Sequence, residues 1–340
     1  MRRAMIPSSR LDFDNPSSMT DEEYVYFTGI TKDQFAEVLS SLRNTTVRSR
    51  RTCLATLFVK LRTGLSNNIL SVLFSMKKHQ VRRSVHAAKL AMMKEYVPDH
   101  LGLITSVMKP SSENTTPLAR CLFSHDNPDT AILILDGTSI YIQKSSHYLF
   151  QRASYSMHKH RPLVKMMIVV GSDGYILSIL GPYRANGDNN DASITKHIFK
   201  SNQENLKNWI YANDVCVVDR GFRDSVEFLK DNDLHVEIPF YLPKGARQHS
   251  TEEANLSRLV TKVRWVVESV NGRVKNWKLL NRVVSNHYVP SIGHQRHSEK
   301  ELRQSDKMIN SVPDASALPQ TDSESDDSED EDDNDSVIEE

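Results

Sequence analysis

Residues 131–142 read AILILDGTSIYI. The unbroken apolar run Ala131–Leu135 fits a short strand buried on both faces of a sheet. It breaks at Asp136-Gly137. A carboxylate at the end of a buried central strand is costly unless something pairs with it. Asp136 therefore either belongs to a site or, with Gly137, opens a hairpin turn. A second stretch repeats the pattern: VCVVDRGFRD, residues 215–224, sets Asp219 after the apolar run Val215–Val218. Two adjacent strand ends would bring these carboxylates to one sheet edge, where α/β proteins place their sites. The alternative for Asp219 is to cap the helix after Gly221.

Outward from these two strands, Lys165–Val170 and Tyr175–Leu180 also read as strands. Helices are expected at Ala192–Lys200, Asn205–Tyr211 and Arg223–Asp231, and a long one from Glu252 to about Trp277. Strands followed by strand–helix alternation give an α/β domain over 120–292. In the long helix, Leu256, Val260, Val263, Val267, Val270 and Val274 recur at helical spacing and define a buried stripe. Glu268, in VRWVVESVNGRVKNW, borders that stripe and can point at the sheet edge; pairing with Arg264 one turn earlier is its other reading.

Upstream, residues 1–30 read as a polar leader and 31–104 as an all-α domain. Thr31 and Gln34 form a capping-box signature for a helix over Thr31–Arg43. Helices Arg51–Thr63, with Gly64 just past its end, and Asn67–Phe74 follow, and Lys78–Tyr96 should stop before Pro98. Helix, tight break, helix is the outline of a helix-turn-helix module. Its second helix would expose Lys77, Lys78, Arg82, Arg83, His86 and Lys89 and turn Val81, Val85 and Leu90 inward. A plain bundle with a solvated basic face fits the same residues. Residues 105–119 read as a linker rich in Pro, Ser and Thr, and 293–340 as a disordered, acidic C-terminal tail.

The 340 residues carry 43 Lys and Arg against 43 Asp and Glu. This balance hides an asymmetry: Thr321–Glu340 holds 12 acidic residues and no Lys or Arg, which leaves +12 on positions 1–320. A basic body favours a polyanionic partner. Cys53, Cys121 and Cys216 lie far apart, which argues against a disulfide framework or a cysteine zinc module and for a reducing compartment. No apolar run approaches a membrane span, and the opening MRRAMIPSSRLDFD has no apolar signal core, so no membrane association is expected.

If Asp136, Asp219 and Glu268 converge, their repulsion raises their pKa values unless a cation intervenes. Oxygen ligands without His or Cys select Mg²⁺ or Mn²⁺. Two such ions about 3.5–4 Å apart can activate the attacking oxygen and stabilise the leaving one in phosphodiester displacement.

The blocks ILDGTSIYIQKSSHYLFQRASYSMHKHRPLVK, DGYILSILGPYRANGDNNDASI, VVDRGFRD and TKVRWVVESVNGRVKNWKLL, in this order, resemble the DDE superfamily endonuclease domain of PIF/Harbinger-like transposases and their domesticated relatives. The resemblance spans about Leu122–Ile292. LFVKLRTGLSNNILSVLFSMKKHQVRRSV looks like the helix-turn-helix that often precedes this domain. The resemblance implies an RNase H-like mixed sheet flanked by helices, with Asp136, Asp219 and Glu268 as catalytic metal ligands for two Mg²⁺ or Mn²⁺ ions. Asp191, in GDNNDASI, matches a further acidic position of the family: it orients the site, helps a metal, or caps the helix starting at Ala192, and capping is the preferred reading.

Lys144, His147, Arg152, His158, Lys159, His160, Arg161 and Lys165 crowd the hairpin expected after Asp136, with Tyr148, Phe150 and Tyr155 between them. They read as a DNA-tracking surface, or else as a solvated hairpin face. His158-x-His160 and His294-x-x-His297 lack companion ligands and read as incidental. Two departures from relatives stand out: no zinc finger precedes the helical block, and the chain turns polar after Ile292.

The leading expectation is a metal-dependent DNA endonuclease with DNA as partner, in the nucleus or also the cytoplasm; a homo-oligomer is left open. Its rival is a domesticated DNA-binding or chromatin adaptor without catalysis. A phosphohydrolase acting on small nucleotides ranks third, for want of a Gly-rich phosphate loop.

Overall fold

The computed structural model describes residues 11–43, 48–101, 111–124, 127, 129–203, 206–242 and 244–291. The expected tail over 293–340, with His294 and His297, lies outside them, as do 1–10 and 102–110.

Among the described residues six α-helices come first: α1 (Asp21–Thr28), α2 (Lys32–Ser41), α3 (Arg50–Thr63), α4 (Asn67–Leu73), α5 (Lys78–Ala91) and α6 (Val97–His100). Thr20 with Glu23 and Thr31 with Gln34 close capping boxes on α1 and α2, and Gly64 ends α3 in the left-handed conformation. From Leu11 onward the expected polar leader is part of this unit. Leu11, Phe13, Met19 and Tyr24 are buried with Phe35, Leu54, Leu70 and Val81 in one core. Phe13 plugs that core by stacking on Phe35 and Phe74 from a segment that is not amphipathic, so no periodicity marks it. Past α5 the helix does not stop before Pro98. A π-helical turn, Met92–Tyr96, leads into α6, whose first turn takes Pro98 where a missing N–H costs nothing. Leu90 is 52% exposed, not inward-facing, because the buried stripe of α5 runs Val81, Val85, Ala88 and passes it by.

After α7 (Pro117–Phe123), the chain forms β1 (Ile132–Tyr141), α8 (Tyr148–Ser154), β2 (Tyr155–Ser156), β3 (Arg161–Gly171), β4 (Ile176–Arg184), α9 (Asp191–Ser201), α10 (Leu206–Trp209), β5 (Val215–Val217), α11 (Val226–Lys230), β6 (His235–Glu237), α12 (Thr251–Lys275) and α13 (Lys278–Asn281). The sheet is mixed, in the order β2-β3-β1-β5-β6 with β4 on β3. β1 pairs antiparallel with β3 and parallel with β5. The buried Asp214 carboxylate locks the β1–β5 start by accepting from Ala131 N and Tyr211 N, each at 2.8 Å. The expected linker belongs to this unit from Ser111 on: Thr116 N donates to Ser172 Oγ at 2.7 Å, and Ala119 and Phe123 of α7 enter the core.

Strand alternation decides which helix each β1 residue faces. Leu133 and Leu135 pack with α9 residues Ile194, Ile198 and Phe199, while Ile132 and Ile134 pack with Val260, Val263, Val267 and Val270 of α12. Each such valine adds about 1.5 kcal/mol or more of burial energy. Leu256 is 44% exposed, because the first turns of α12 overhang the sheet.

The helical and α/β units touch directly. Trp277 packs on Phe58 of α3, and Arg62 donates to Asn276 O at 3.1 Å.

Candidate active site

Asp136 does not end its strand. β1 runs on to Tyr141, and Asp136 lies opposite Ile168 of β3, which removes the hairpin-turn reading. The parity that sends Ile132 and Ile134 towards α12 sends Asp136 there too. Asn271 Nδ2 donates to Asp136 Oδ2 at 2.7 Å, and Arg264 Nη1 reaches Asp136 Oδ1 at 3.4 Å. Arg264 and Asn271 lie seven residues apart on one helix face, and Glu268 lies between them. The Glu268 carboxylate takes the other Arg264 amino group, and half of its side chain stays exposed. A single guanidinium thus bridges Asp136 and Glu268.

Gly137 has the opposite parity and faces α9. A Cβ there would lie 2.5 Å from Asp191 Oδ1, so only glycine admits that carboxylate against the strand. The cap of α9 is Asn190, which accepts from Ser193 N at 2.7 Å; Asp191 is the first helical residue, and its side chain turns to the site. This corrects the capping reading of Asp191. Asp219 follows β5 and caps the 3₁₀ turn Arg220–Ser225, accepting from Gly221 N at 2.7 Å. The free space at Gly221 is bounded by Asp219 Oδ1 and Asp191 Oδ2, 2.9 and 3.6 Å from where a Cβ would stand.

Asp136, Asp191 and Asp219 therefore share one edge of the sheet and one field. Burial pushes Asp136 up to about 6; Arg264 opposes this, and the charges of Asp219 and Asp191 add to it. Burial also raises Asp191, against the pull of Lys165 and with a push from Asp219. Lys165 is not on an exposed hairpin face. It sits in β3 opposite Ser139, half-buried, and donates to Asn189 O at 2.8 Å.

The donors fit a hard cation. They are all oxygens, the charges of Asp219 and Asp191 push Asp136 up, and Asn271 Oδ1 is a buried acceptor with no hydrogen-bond partner among the described residues. Among the described residues no three His, Cys, Asp or Glu side chains already stand at metal-ligand spacing. Glu268 is held by Arg264 instead.

A family model described as DDE superfamily endonuclease matches residues 135–309, more than half of the chain. The chain belongs to that family. No curated protein and no solved structure matches it. The family is one of nucleases, which implies DNA as substrate, and its members use divalent metals. The family match runs past Ile292, so the polar segment read as a departure lies partly inside it.

The other sequence-derived candidates fall into two places. Arg82 and Arg83 are exposed on α5, away from its buried stripe. Lys144, Arg152, Lys159 and Arg161 are exposed around α8 and the turn into β3, where Arg161 lies over the Tyr141 ring at 4.6 Å. A small cavity of about 160 Å³, lined by Gly137, Ser139, His158, Lys159, Lys165 and Asp191 among others, joins this basic turn to the carboxylates. Asn271 and Asn190 are not among the sequence-derived candidates. The signal for Asn271 was its place one turn after Glu268 in VVESVNGR.

Among the described residues no helix is long and apolar enough to cross a membrane.

Proposed function

We propose that this family member is a divalent-metal-dependent DNA endonuclease of the PIF/Harbinger-like transposase kind, with an RNase H-like nuclease domain. The observation that carries the reading is the meeting of Asp136, Asp191 and Asp219 at one sheet edge, with Glu268 on the helix that packs across it. Asp136, Asp219 and Glu268 would hold the metal, with Asp191 as a further oxygen donor. Divalent cations bound there would supply Lewis acidity at the scissile phosphate and lower the pKa of the attacking water. Asn271 orients the Asp136 carboxylate, and Gly137 makes room for that of Asp191. Lys165 and Lys159, on the cavity beside them, neutralise phosphate.

The α4–α5 pair, a helix, a tight turn and a helix with exposed Lys77, Lys78, Arg82 and Arg83, fits a helix-turn-helix reader of duplex DNA. A DNA substrate supports a location in the nucleus. Plasmid nicking with Mg²⁺ or Mn²⁺ tests the proposal: wild type should nick and Asp136→Ala should not, and equal activity in both would remove Asp136 from the ligand set.

One observation favours a second reading, a DNA-binding adaptor without catalysis. Arg264 already supplies a positive charge between Asp136 and Glu268. That reading predicts DNA binding with EDTA present and no cleavage with any divalent ion.

A further inference from the structure

Beside the carboxylates lies a groove of about 1290 Å³, between the overhanging first half of α12 and the turn that follows Asp219. Asp219 and Arg264 line one part of it, and Arg264 in turn holds the Asp136 and Glu268 carboxylates. Arg220, Arg258 and Lys262 line the rest, and all three are exposed. Among the described residues, neither Arg258 nor Lys262 has a carboxylate within ion-pair distance. Trp265 stands among them, also on the lining, with 63% of its surface in solvent.

The wall opposite is built and held. Phe240 N donates to Ser257 Oγ of α12 at 2.9 Å, Arg220 donates to Phe240 O at 2.8 Å, and the Tyr241 hydroxyl donates to Arg220 O at 2.6 Å. These bonds fix the width of the groove by tying both sides together.

Cations set along a groove with one large exposed aromatic face match a nucleic-acid strand. Duplex DNA offers a protein only base edges and backbone, because its base faces are stacked on one another. A base can lie on an indole only after leaving its stack. An acidic peptide would use the cations and leave the indole without a partner.

We infer that this groove is a channel for a single, unpaired DNA strand adjoining the scissile phosphate, with a base stacked on Trp265 and phosphates held by Arg220, Arg258 and Lys262. The inference rests on the endonuclease reading and names the form of its substrate: the strand next to the cleavage point is unpaired. Duplex recognition belongs to a different surface, around α5 and the α8–β3 turn.

The test measures binding of the full chain, in EDTA, to three oligonucleotides: a closed duplex, the same duplex with a single-stranded flank, and the flank alone. Wild type should prefer the two that carry a free strand. Trp265→Ala should weaken those two about ten-fold or more, the scale of one lost base stack, and leave the closed duplex unchanged. Trp265→Phe should keep most of the affinity. Arg258→Gln with Lys262→Gln should flatten the salt dependence of flank binding by about 1.4 in log–log slope, two single-strand phosphate contacts. Unchanged affinity for the flank in Trp265→Ala overturns the channel, as does an equal loss on all three DNAs. Displacement of the flank by an acidic, aromatic-free peptide with equal potency in wild type and Trp265→Ala also overturns it, in favour of an electrostatic protein-docking face. The endonuclease reading fails on a separate observation, absence of nicking by wild type with Mg²⁺ or Mn²⁺. Nicking together with a neutral Trp265→Ala sinks the channel alone.

Discussion

The Arg264 guanidinium lies 3.4 Å from the Asp136 carboxylate, with only 15% and 14% of the two side chains exposed. Its other amino group holds Glu268, one turn along the same helix. Breaking such a shielded pair from one side leaves an uncompensated charge. The pair also sets up a competition: a divalent cation shared by Asp136 and Glu268 would take over the charge that Arg264 now supplies.

Arg264→Gln should therefore act in opposite directions on the two states. Without metal, Asp136 and Glu268 lose the cation that bridges them and Tm should fall. With Mg²⁺ or Mn²⁺, the competitor is gone and the metal-induced rise in Tm should exceed that of wild type. Thermal melts with EDTA and with each metal check both signs. A smaller metal effect in the variant would show that Arg264 helps to bind the metal or its substrate instead of standing in for it.

The stability of the metal-free protein should fall as pH rises from about 4 to about 6. Burial, against the pull of Arg264, lifts Asp136 from the ordinary 3.8 to about 6 in the folded chain. A carboxyl raised in this way binds its proton more tightly folded than unfolded, so ionising it costs stability. For Asp136 the cost is on the order of 3 kcal/mol once both states are ionised. Asp191 is raised too and adds to the same slope. Urea titrations in EDTA at pH 4.5, 5.5 and 7.5 should show the decline. Asp136→Asn should flatten it and, because Arg264 keeps Glu268 as its partner, be more stable than wild type at pH 7.5. Metal should reverse the trend, stabilising most where Asp136 is ionised and losing effect below about pH 6, as protons compete for the ligand.

Gly137→Ala should leave the fold standing and spoil the site. The methyl would stand 2.5 Å from Asp191 Oδ1 and 2.9 Å from its Cγ, so the carboxylate must swing away. Gly137 is not in the left-handed region, and β1 can accept alanine at a backbone cost near zero. The expected outcome is a Tm within a few degrees of wild type, with metal-induced stabilisation and nicking both strongly reduced. Intact metal stabilisation would remove Asp191 from the donor set.

The site was legible where chemistry and periodicity coincide. Asp136 and Asp219 each follow an apolar run too short for anything but a buried strand, and the valine stripe of α12 placed Glu268 beside the sheet edge. Two things were hidden. The alternation that gives Asp136 to α12 and Gly137 to α9 needs the strand to continue past Asp136, and DGT looks like a turn when read alone. Asn271 and the Arg264 bridge depend on which way two helix turns face, a tertiary fact. The front of the helical unit has no periodic signal, because Phe13 and Met19 reach the core from irregular chain. The expected separation by a linker concealed that Trp277, just past α12, seats on Phe58 of α3 and joins the two.

The neutral net charge of the chain predicts a last behaviour. Thr321–Glu340 carries 12 acidic residues, and the 320 residues before it carry a net +12. At low salt the acidic stretch should act as a tethered polyanion and compete with DNA for the basic surfaces of α5, the α8–β3 turn and the α12 groove. Tethering makes that competition intramolecular, so dilution does not relieve it. Deleting 321–340 should tighten DNA binding several-fold at 50 mM salt and much less at 200 mM, where the Debye length falls below about 10 Å. Because the tail and DNA displace the same counterions, the truncated chain should also show the steeper salt dependence. Fluorescence anisotropy with one duplex across a salt series measures both. Equal affinity for the two chains at every salt concentration would leave the acidic stretch without a role in DNA binding.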